Sequence, residues 1–381
     1  MASIERLRSY LLSDPGNDQL ACDLADALFA LGDYGQAGEV LANLPKEAGD
    51  SVGVRFRLGR LALVAGRYDA AEHAFKRLSS EGYRSAAIEH DIAFAQLCQK
   101  QAERADATLG KAIEEFGESS ELNILRARIA LMQKDYPRAQ AALRQTLASE
   151  PGQPVAWGLQ ALGLLDEGET EAAGKIALAC LAVHPDQHEA LLTAGTIALW
   201  QRDVEGAETY FKRALSRFPN SGRALSGFAQ VLMLRGQLEA AKPELEHAVV
   251  AMPDHIGTWH ALAWVQTLQG ELAGARESYQ RAYDLDRNFA ETHGGLAVVS
   301  MLEGNVAEAE ESMRRALKLD PKSINGRYAK SLLLENGGNA DASAQLMAEV
   351  LNEGALPGAD LNEARNLSQG IRDRINKLRH R

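Results

Sequence analysis

Apolar residues recur along most of the chain at intervals of three and four positions, which is the spacing of one face of an α-helix. The windows that carry this pattern are about 14 residues long, and short turns separate them. Residues 222–255 are typical, because GRALSGFAQVLMLR and EAAKPELEHAVVAM each gather apolar side chains on one helical face. The pattern therefore predicts a chain built of helices joined in pairs.

Three series of residues repeat in one register at an interval of 34 positions. Prolines that end a helix stand at Pro151, Pro185, Pro219, Pro253 and Pro321. Small residues that let helices approach closely stand at Ala37, Ala71, Ala105, Ala139, Ala173, Ala207, Ala241, Ala275, Ala309 and Ser343. Residues at the turn within each pair are Gly32, Gly66, Lys100, Lys134, Gly168, Arg202, Gly236, Gly270, Gly304 and Gly338. Because glycine reverses a chain and proline ends a helix, each interval is predicted to hold one helix–turn–helix repeat.

The register divides the chain into three regions. Residues 1–17 are predicted to form an N-terminal capping half-repeat, and residues 358–381 a C-terminal capping helix, since an uncapped array would leave an apolar face in water. The basic face of 358–381 is also compatible with docking on an acidic partner or a membrane surface. Between them lie ten predicted repeats, at 18–51, 52–85, 86–119, 120–153, 154–187, 188–221, 222–255, 256–289, 290–323 and 324–357.

These residues resemble the tetratricopeptide repeat (TPR) family, whose motif places small, glycine, aromatic and proline residues at set phases. The sixth repeat carries Ala194, Gly195, Ala207, Phe211, Ala214 and Pro219, and the eighth carries Trp259, Leu262, Ala263, Gly270, Ala275, Tyr279 and Ala282. The resemblance implies an all-α fold, a tandem solenoid in which helix–turn–helix units form a right-handed superhelix. It also implies a concave groove, lined by the first helix of each repeat, that binds peptides or partner proteins.

The groove positions that the family implies differ in character along the chain. One end is charged, with Asp23, Asp26, Arg57, Arg60, His90, Asp91 and Arg128. The later repeats offer Leu159, Leu162, Leu192, Leu199, Trp200, Met233, His260, Trp264, Gly294, Gly295, Met301, Tyr328 and Leu332. We expect an amphipathic helix or an extended apolar segment of a partner in repeats five to nine, with Trp264 and Met301 as anchors.

The glycines among these groove positions need a separate explanation, because glycine within a helix costs about 1 kcal/mol relative to alanine. Gly158, Gly227, Gly294 and Gly295 are expected where the backbone of a ligand approaches closely. The alternative is that they touch the neighbouring repeat and belong to the core.

Composition narrows the possible partners and the location. Asp and Glu number 52 against 41 Lys and Arg, for a net charge of −11. The chain therefore lacks the excess of basic residues that neutralises phosphate groups, and we expect no nucleic acid as a partner. Neither a signal peptide nor a membrane span can be recognised, which predicts a cytoplasmic protein. Cys22, Cys98 and Cys180 are scattered and odd in number, so we expect no disulfide framework, metal site or other cofactor.

The sequence shows no recognisable catalytic motif. The sequence contains no phosphate-binding GxxxxGK[ST] loop and no GxSxG elbow. His184 and His188 are four residues apart but lack an HExxH context, so they are interpreted as a surface pair. We therefore predict a non-enzymatic scaffold or adaptor, a monomer or weak homo-oligomer, that binds a peptide or helical segment. A chaperone for a secretion or assembly-system client and a regulatory subunit of an enzyme complex remain alternatives.

Overall fold

The computed structural model describes residues 2–353 together with 366, 369, 370 and 373, and this part of the chain is helical without strands. The first helices of the pairs are α2 (Asp18–Ala30), α5 (Val52–Val64), α7 (Ala86–Cys98), α9 (Ser120–Met132), α11 (Pro154–Glu167), α13 (His188–Trp200), α15 (Gly222–Leu234), α17 (Ile256–Leu268), α19 (Ala290–Glu303) and α21 (Ile324–Asn336). The second helices are α3 (Tyr34–Ala42), α6 (Tyr68–Ser80), α8 (Ala102–Phe116), α10 (Tyr136–Ser149), α12 (Thr170–Val183), α14 (Val204–Arg217), α16 (Leu238–Ala251), α18 (Leu272–Leu285), α20 (Val306–Leu319) and α22 (Ala340–Glu353). The all-α solenoid of helix pairs is confirmed.

Two compact halves are formed, an N-terminal half over Met1–His184 and a C-terminal half over Pro185–Arg381. Helix α1 (Ala2–Ser13) opens the N-terminal half, and its Ile4, Leu7 and Leu11 pack against the core of the first pair. The division into ten repeats with the bounds given above stays a proposal. The predicted capping helix at 358–381 lies outside the described residues, apart from the four positions named.

Most first helices begin at a capping side chain that recurs with the period of the repeat, whereas α15 and α19 begin without one. Asn17 accepts a hydrogen bond from the amide of Leu20, and Ser85 and Ser119 accept from the third residue beyond them in the same way. Each of these side chains satisfies an amide that the first helical turn leaves without a backbone partner. The first helices therefore begin in phase.

The turn within each pair requires a left-handed residue. All ten residues of the predicted turn series have positive φ, from 59° at Lys134 to 96° at Gly168. Seven are glycines, which adopt this conformation without strain, but Lys100, Lys134 and Arg202 also hold it, with φ of 62°, 59° and 63°. The three non-glycine turns therefore carry a backbone cost of about 1 kcal/mol or more each.

Close packing within a pair is tuned by the size of two facing residues. A Cβ added to Gly59 would lie 2.8 Å from the ring of Phe75, and one added to Gly195 would lie 2.9 Å from the ring of Phe211. Where the facing residue of the second helix is the smaller Leu109, the first helix carries the buried Ala93 instead. In these two pairs a phenylalanine of the second helix is thus accompanied by glycine in the first, whereas Tyr279 of the eighth pair stands with the buried Ala263.

Polar contacts between successive repeats fix their register. The fifth residue of a second helix reaches the following repeat in several places, and the sign of its charge varies. Glu72 pairs with Arg104 at 2.9 Å, Glu208 with Arg235 at 2.7 Å, Lys242 with Glu271 at 2.5 Å, and Arg276 with both Glu303 and Glu308 at 2.5 and 2.8 Å.

The first pair departs from the predicted helix lengths. Its second helix, α3, stops at Ala42, and a short helix α4 (Lys46–Gly49) follows. Pro45 lies between them, with φ of −53°. Because proline restricts the residue before it to extended conformations, Leu44 cannot continue the helix.

Candidate functional site

A cleft of about 540 Å³ opens in the C-terminal half, and we call it the neutral cleft because its lining contains no Asp, Glu, Lys or Arg among the residues that the structure describes. Helices α15, α17, α18, α21 and α22 contribute to its wall. The lining residues are Ser226, Gln230, Met233, His255, Gly257, His260, Ala261, Trp264, Tyr279, Ile324, Asn325, Tyr328, Met347, Val350 and Leu351.

Two aromatic rings meet in the wall of the neutral cleft. Trp264 of α17 and Tyr328 of α21 meet edge to face, with ring centroids 5.9 Å apart and planes at 78°. These helices belong to alternate repeats, so α21 must come unusually close to α19, which lies between them in the chain. Gly294 permits this approach, because a Cβ there would lie 2.4 Å from the backbone nitrogen of Gly326.

His260 is held in the wall of the cleft as an uncharged ring. Its Nε2 lies 2.8 Å from the hydroxyl of Thr292, and its ring packs edge to face on Tyr279 and Phe289, each with centroids 5.3 Å away. Burial lowers the pKa of His260 to about 4, because the charged form would lose its hydration. The imidazole is therefore neutral at physiological pH.

Other polar groups beside the neutral cleft already have partners. His255 Nδ1 lies 2.8 Å from the hydroxyl of Thr258, and that hydroxyl donates to Ser226 at 3.4 Å. The carboxylate of Glu291 accepts from the backbone amides of Ile324 and Asn325 at 2.7 and 2.9 Å, at the start of α21. A helix N-terminus is a favourable place for a negative charge, so this carboxylate is stabilised where it lies.

A second cleft, of about 420 Å³, lies in the N-terminal half and has a different character; we call it the charged cleft. Its lining residues are Phe29, Arg60, Leu63, Val64, Tyr68, His90, Asp91, Phe94, Cys98, Ile124, Leu125 and Arg128. The guanidinium of Arg60 lies 5.2 Å from the centroid of the Phe29 ring and 3.9 Å from the carboxylate of Asp91. Asp91 also accepts from His90 Nδ1 at 2.9 Å when that nitrogen carries the proton.

The predicted groove residues of the apolar set, apart from the glycines, are found in four environments. Met233, His260, Trp264 and Tyr328 line the neutral cleft. Leu159, Leu192 and Leu332 are buried in the core, which removes them from any partner-binding surface. Leu162, Leu199 and Met301 are half-buried outside the cleft lining, whereas Trp200 is 60% exposed.

The explanation offered above for the groove glycines is corrected. Gly294 and Gly295 are buried, and they make room for the protein itself rather than for a ligand backbone. Gly294 faces the backbone of Gly326, and a Cβ on Gly295 would lie 2.3 Å from the ring of Tyr279. Gly227 likewise makes room for the ring of Phe211 from the preceding repeat, because a Cβ on Gly227 would lie 2.3 Å from that ring. The alternative, contact with a neighbouring repeat, is therefore the one observed.

The charged set is also divided. Arg60, His90, Asp91 and Arg128 line the charged cleft. Asp26 and Arg57 instead form a bidentate ion pair, whose hydrogen bonds raise the pKa of Arg57. Asp23 is exposed and accepts from Gln19 one turn earlier in α2.

The cleft wall contributed by the second helix α22 was missed by sequence reasoning. Met347, Val350 and Leu351 line the neutral cleft, although the family resemblance implied only first helices there. Their three- and four-residue spacing is that of any buried helical face, so the sequence holds no signal that sets them apart.

Within the described residues, no group of three or more His, Cys, Asp or Glu side chains is placed to hold a metal ion. No helix of the same part of the chain has the length and hydropathy needed to cross a bilayer.

Known proteins with similar folds were found by comparison of coordinates. The crystal structure of the APC/C hetero-tetramer Cut9–Hcn1 has a TM-score of 0.59 at 16% identity, and the match covers 99% of this chain and 87% of that one. The human IFIT1 dimer with PPP-AAAA has a TM-score of 0.55 at 19% identity, covering 99% and 95% of the two chains. At such identities the likeness concerns the fold alone.

Sequence comparison gives a closer assignment. A TPR repeat-containing protein of Pseudomonas aeruginosa is 27% identical over 206 residues, and the match spans 53% of this chain but only about a third of that relative. One tetratricopeptide repeat model matches residues 97–163, 198–264 and 267–333, more than half of the chain, and a second matches 22–78 and 159–222. The chain therefore belongs to the tetratricopeptide repeat family.

Proposed function

We propose that this protein is a non-enzymatic scaffold that binds a short segment of a partner protein in the neutral cleft. The observation that carries the proposal is the cleft itself, which is lined by the half-buried Trp264 and Met233 and in which Tyr328 packs edge to face on the indole of Trp264. Concave, largely apolar surfaces with a few convergent polar groups are the usual places where ligands bind. Tryptophan and methionine are also enriched where partners dock.

Binding energy at such sites is concentrated in a few side chains. Trp264 is the strongest candidate, because a partly buried indole offers a large apolar surface and loses little conformational freedom on binding. Met233 adapts to the shape of its partner through three rotatable bonds. Both lie on first helices, in repeats seven and eight, so one segment can contact both.

The test replaces Trp264 and compares the result with a matched exposed tryptophan. Trp264→Glu should remove one or more stoichiometric partners captured from native cells, whereas Trp200→Glu, on the exposed end of α13, should retain them. Gln230→Glu, at the exposed rim, serves as a second variant that leaves the core intact. Helicity measured by circular dichroism should stay unchanged in all three.

Each captured partner is then reduced to the bound segment and titrated against the purified variants. Loss of at least 100-fold in affinity with Trp264→Glu is expected, as for the removal of a binding hot spot. If no partner depends on Trp264 or Gln230, the proposal is wrong. Binding of the unfolded client only would favour the chaperone alternative, and a change in an enzyme's turnover on binding would favour the regulatory subunit. The cytoplasmic location and the monomeric or weakly oligomeric state stay predictions.

A further inference from the structure

We propose that the neutral cleft selects a partner segment anchored by an aromatic side chain and rejects a segment that places an ionised residue at that position. This inference rests on the proposed function, since it names the chemistry of the segment that the cleft binds. The cleft would thus bind segments with an uncharged anchor residue, although the chain as a whole is strongly acidic.

The first reason is that the part of the lining that the structure describes offers no counter-charge. Side chains of the cleft wall are apolar, aromatic, hydroxyl, amide or imidazole groups. An ionised side chain that packs against such a wall loses its hydration and meets no opposite charge there. Burial of an unpaired charge is strongly unfavourable in free energy. The imidazole of His260 does not change this, because its ring is wedged between Tyr279 and Phe289 and its Nε2 is engaged with Thr292.

The nearby carboxylate of Glu291 does not supply a charge to the ligand either. Both of its oxygens accept backbone amides at the first turn of α21, at 2.7 and 2.9 Å. A lysine anchor would have to compete with these two bonds and with the partial positive charge of the helix terminus.

The second reason is the arrangement of rings. Trp264 and Tyr328 already meet edge to face, so the indole has a neighbour that fixes its orientation. Aromatic rings prefer edge-to-face or offset contacts with one another, and a ring from the partner can extend this pair toward Met233. A sulfur atom beside a ring adds a further favourable contact.

The third reason is the contrast with the charged cleft of the same protein. That cleft offers Arg60 and Arg128 as cations and Asp91 as an anion, so an ionised anchor would find opposite charges there. The two clefts have similar volumes, so they allow a charged and an uncharged lining to be compared within one protein.

The experiment selects binders from a phage-displayed library of random 12-residue peptides on the full chain, with Trp264→Ala as the counter-selection. Peptides that depend on Trp264 should be enriched in Phe, Trp or Tyr at one position, without Asp, Glu, Lys or Arg at it. The best peptide is then synthesised with Phe, Glu or Lys at the anchor, and each is titrated by fluorescence anisotropy. The Glu and Lys peptides should bind at least 100-fold more weakly than the Phe peptide.

A variant that introduces charge tests the cause. Gln230→Arg places a cation at the exposed rim of the cleft, and it should strengthen binding of the Glu peptide at least tenfold without strengthening that of the Lys peptide. Gln230→Met is the matched uncharged variant, and it should not strengthen binding of the Glu peptide.

The outcomes separate the two proposals. If no Trp264-dependent peptide is enriched, the proposed function itself is wrong. If such peptides are found but the Glu or Lys form binds as well as the Phe form, the proposed function stands and the aromatic selection is wrong. A Gln230→Arg variant that leaves the preference unchanged would likewise overturn the charge argument.

Discussion

The indole of Trp264 and the phenol ring of Tyr328 meet edge to face, with ring centroids 5.9 Å apart, although their helices belong to alternate repeats. The contact depends on a place where two glycine backbones meet, since Gly294 of α19 lies against Gly326 of α21. The two glycines, which have no side chain, thus allow the two large aromatic side chains to meet. Both rings line the neutral cleft.

The first prediction concerns this glycine contact. Gly294→Ala places a Cβ 2.4 Å from the nitrogen of Gly326, so α21 must move away from α19. We expect a loss of about 2 kcal/mol in the free energy of unfolding and a shift in the fluorescence of Trp264. Chemical denaturation and emission spectra measure both effects.

Its control is Gly35→Ala in α3, where nothing lies within 4 Å of the new Cβ. There the higher helix propensity of alanine should stabilise the protein by up to about 1 kcal/mol. Equal stability of Gly294→Ala and the wild-type protein would contradict the close approach.

The second prediction concerns Phe211, whose ring faces Gly195 and Gly227. Gly227→Ala should destabilise the protein by about 2 kcal/mol, because its Cβ would lie 2.3 Å from the ring. Phe211→Leu introduces the residue that Leu109 and Leu245 supply at the same phase. In the double variant most of the loss caused by Gly227→Ala should disappear, and a double-mutant cycle measures this coupling. Additive effects of the two substitutions would show that the ring is not the obstacle.

The third prediction concerns the left-handed turn residues. Lys134 is exposed and has φ of 59°, so Lys134→Gly should relieve backbone strain at little cost in contacts. We expect stabilisation of about 0.5 to 1 kcal/mol, after allowing for the greater freedom of glycine in the unfolded chain. Thermal unfolding should show a higher midpoint.

Gly270→Ala, at the same phase with φ of 78°, is the reverse substitution and should lower the unfolding midpoint. Opposite shifts in the two variants are required, and a shift of both in one direction would refute the strain argument.

The fourth prediction concerns pH. The pKa of His260 is lowered from 6.5 to about 4, so the unfolded chain takes up a proton that the folded chain refuses over this interval. The free energy of unfolding should therefore be highest above pH 6.5 and fall as the pH decreases toward 4, with His260 contributing about 3 kcal/mol to the fall. In His260→Gln this part of the decrease should vanish, as urea denaturation at a series of pH values would show. Parallel curves for the variant and the wild-type protein would exclude His260 as the cause.

Local signals made the repeats predictable from sequence. A turn residue and a small residue each recur every 34 positions, and each acts within its own pair of helices. Even Lys134, which breaks the glycine series, adopts the backbone conformation that its phase indicates. The fold follows from such short-range rules because every repeat restates them.

The neutral cleft was only partly predictable, because it depends on packing between repeats. Trp264 and Met233 were found from their phase, but Met347 was not, since its spacing is that of an ordinary core residue. Leu332 has the phase of a groove residue and is nevertheless buried in the core. The close approach of Gly294 and Gly326 shifts α21 and so decides which side chains face the opening, and no periodic pattern records it.

The different signs of the contacts between repeats have a consequence for how the array can change in evolution. If residues 222–255 were deleted in frame, Glu208 would come to lie where Lys242 now meets Glu271, and two carboxylates would face each other. If residues 256–289 were deleted instead, Lys242 would come to lie where Arg276 now meets Glu303 and Glu308, and opposite charges would still meet. Loss of a repeat is therefore penalised by repulsion at one joint and tolerated at another, although both joints keep their helical phase.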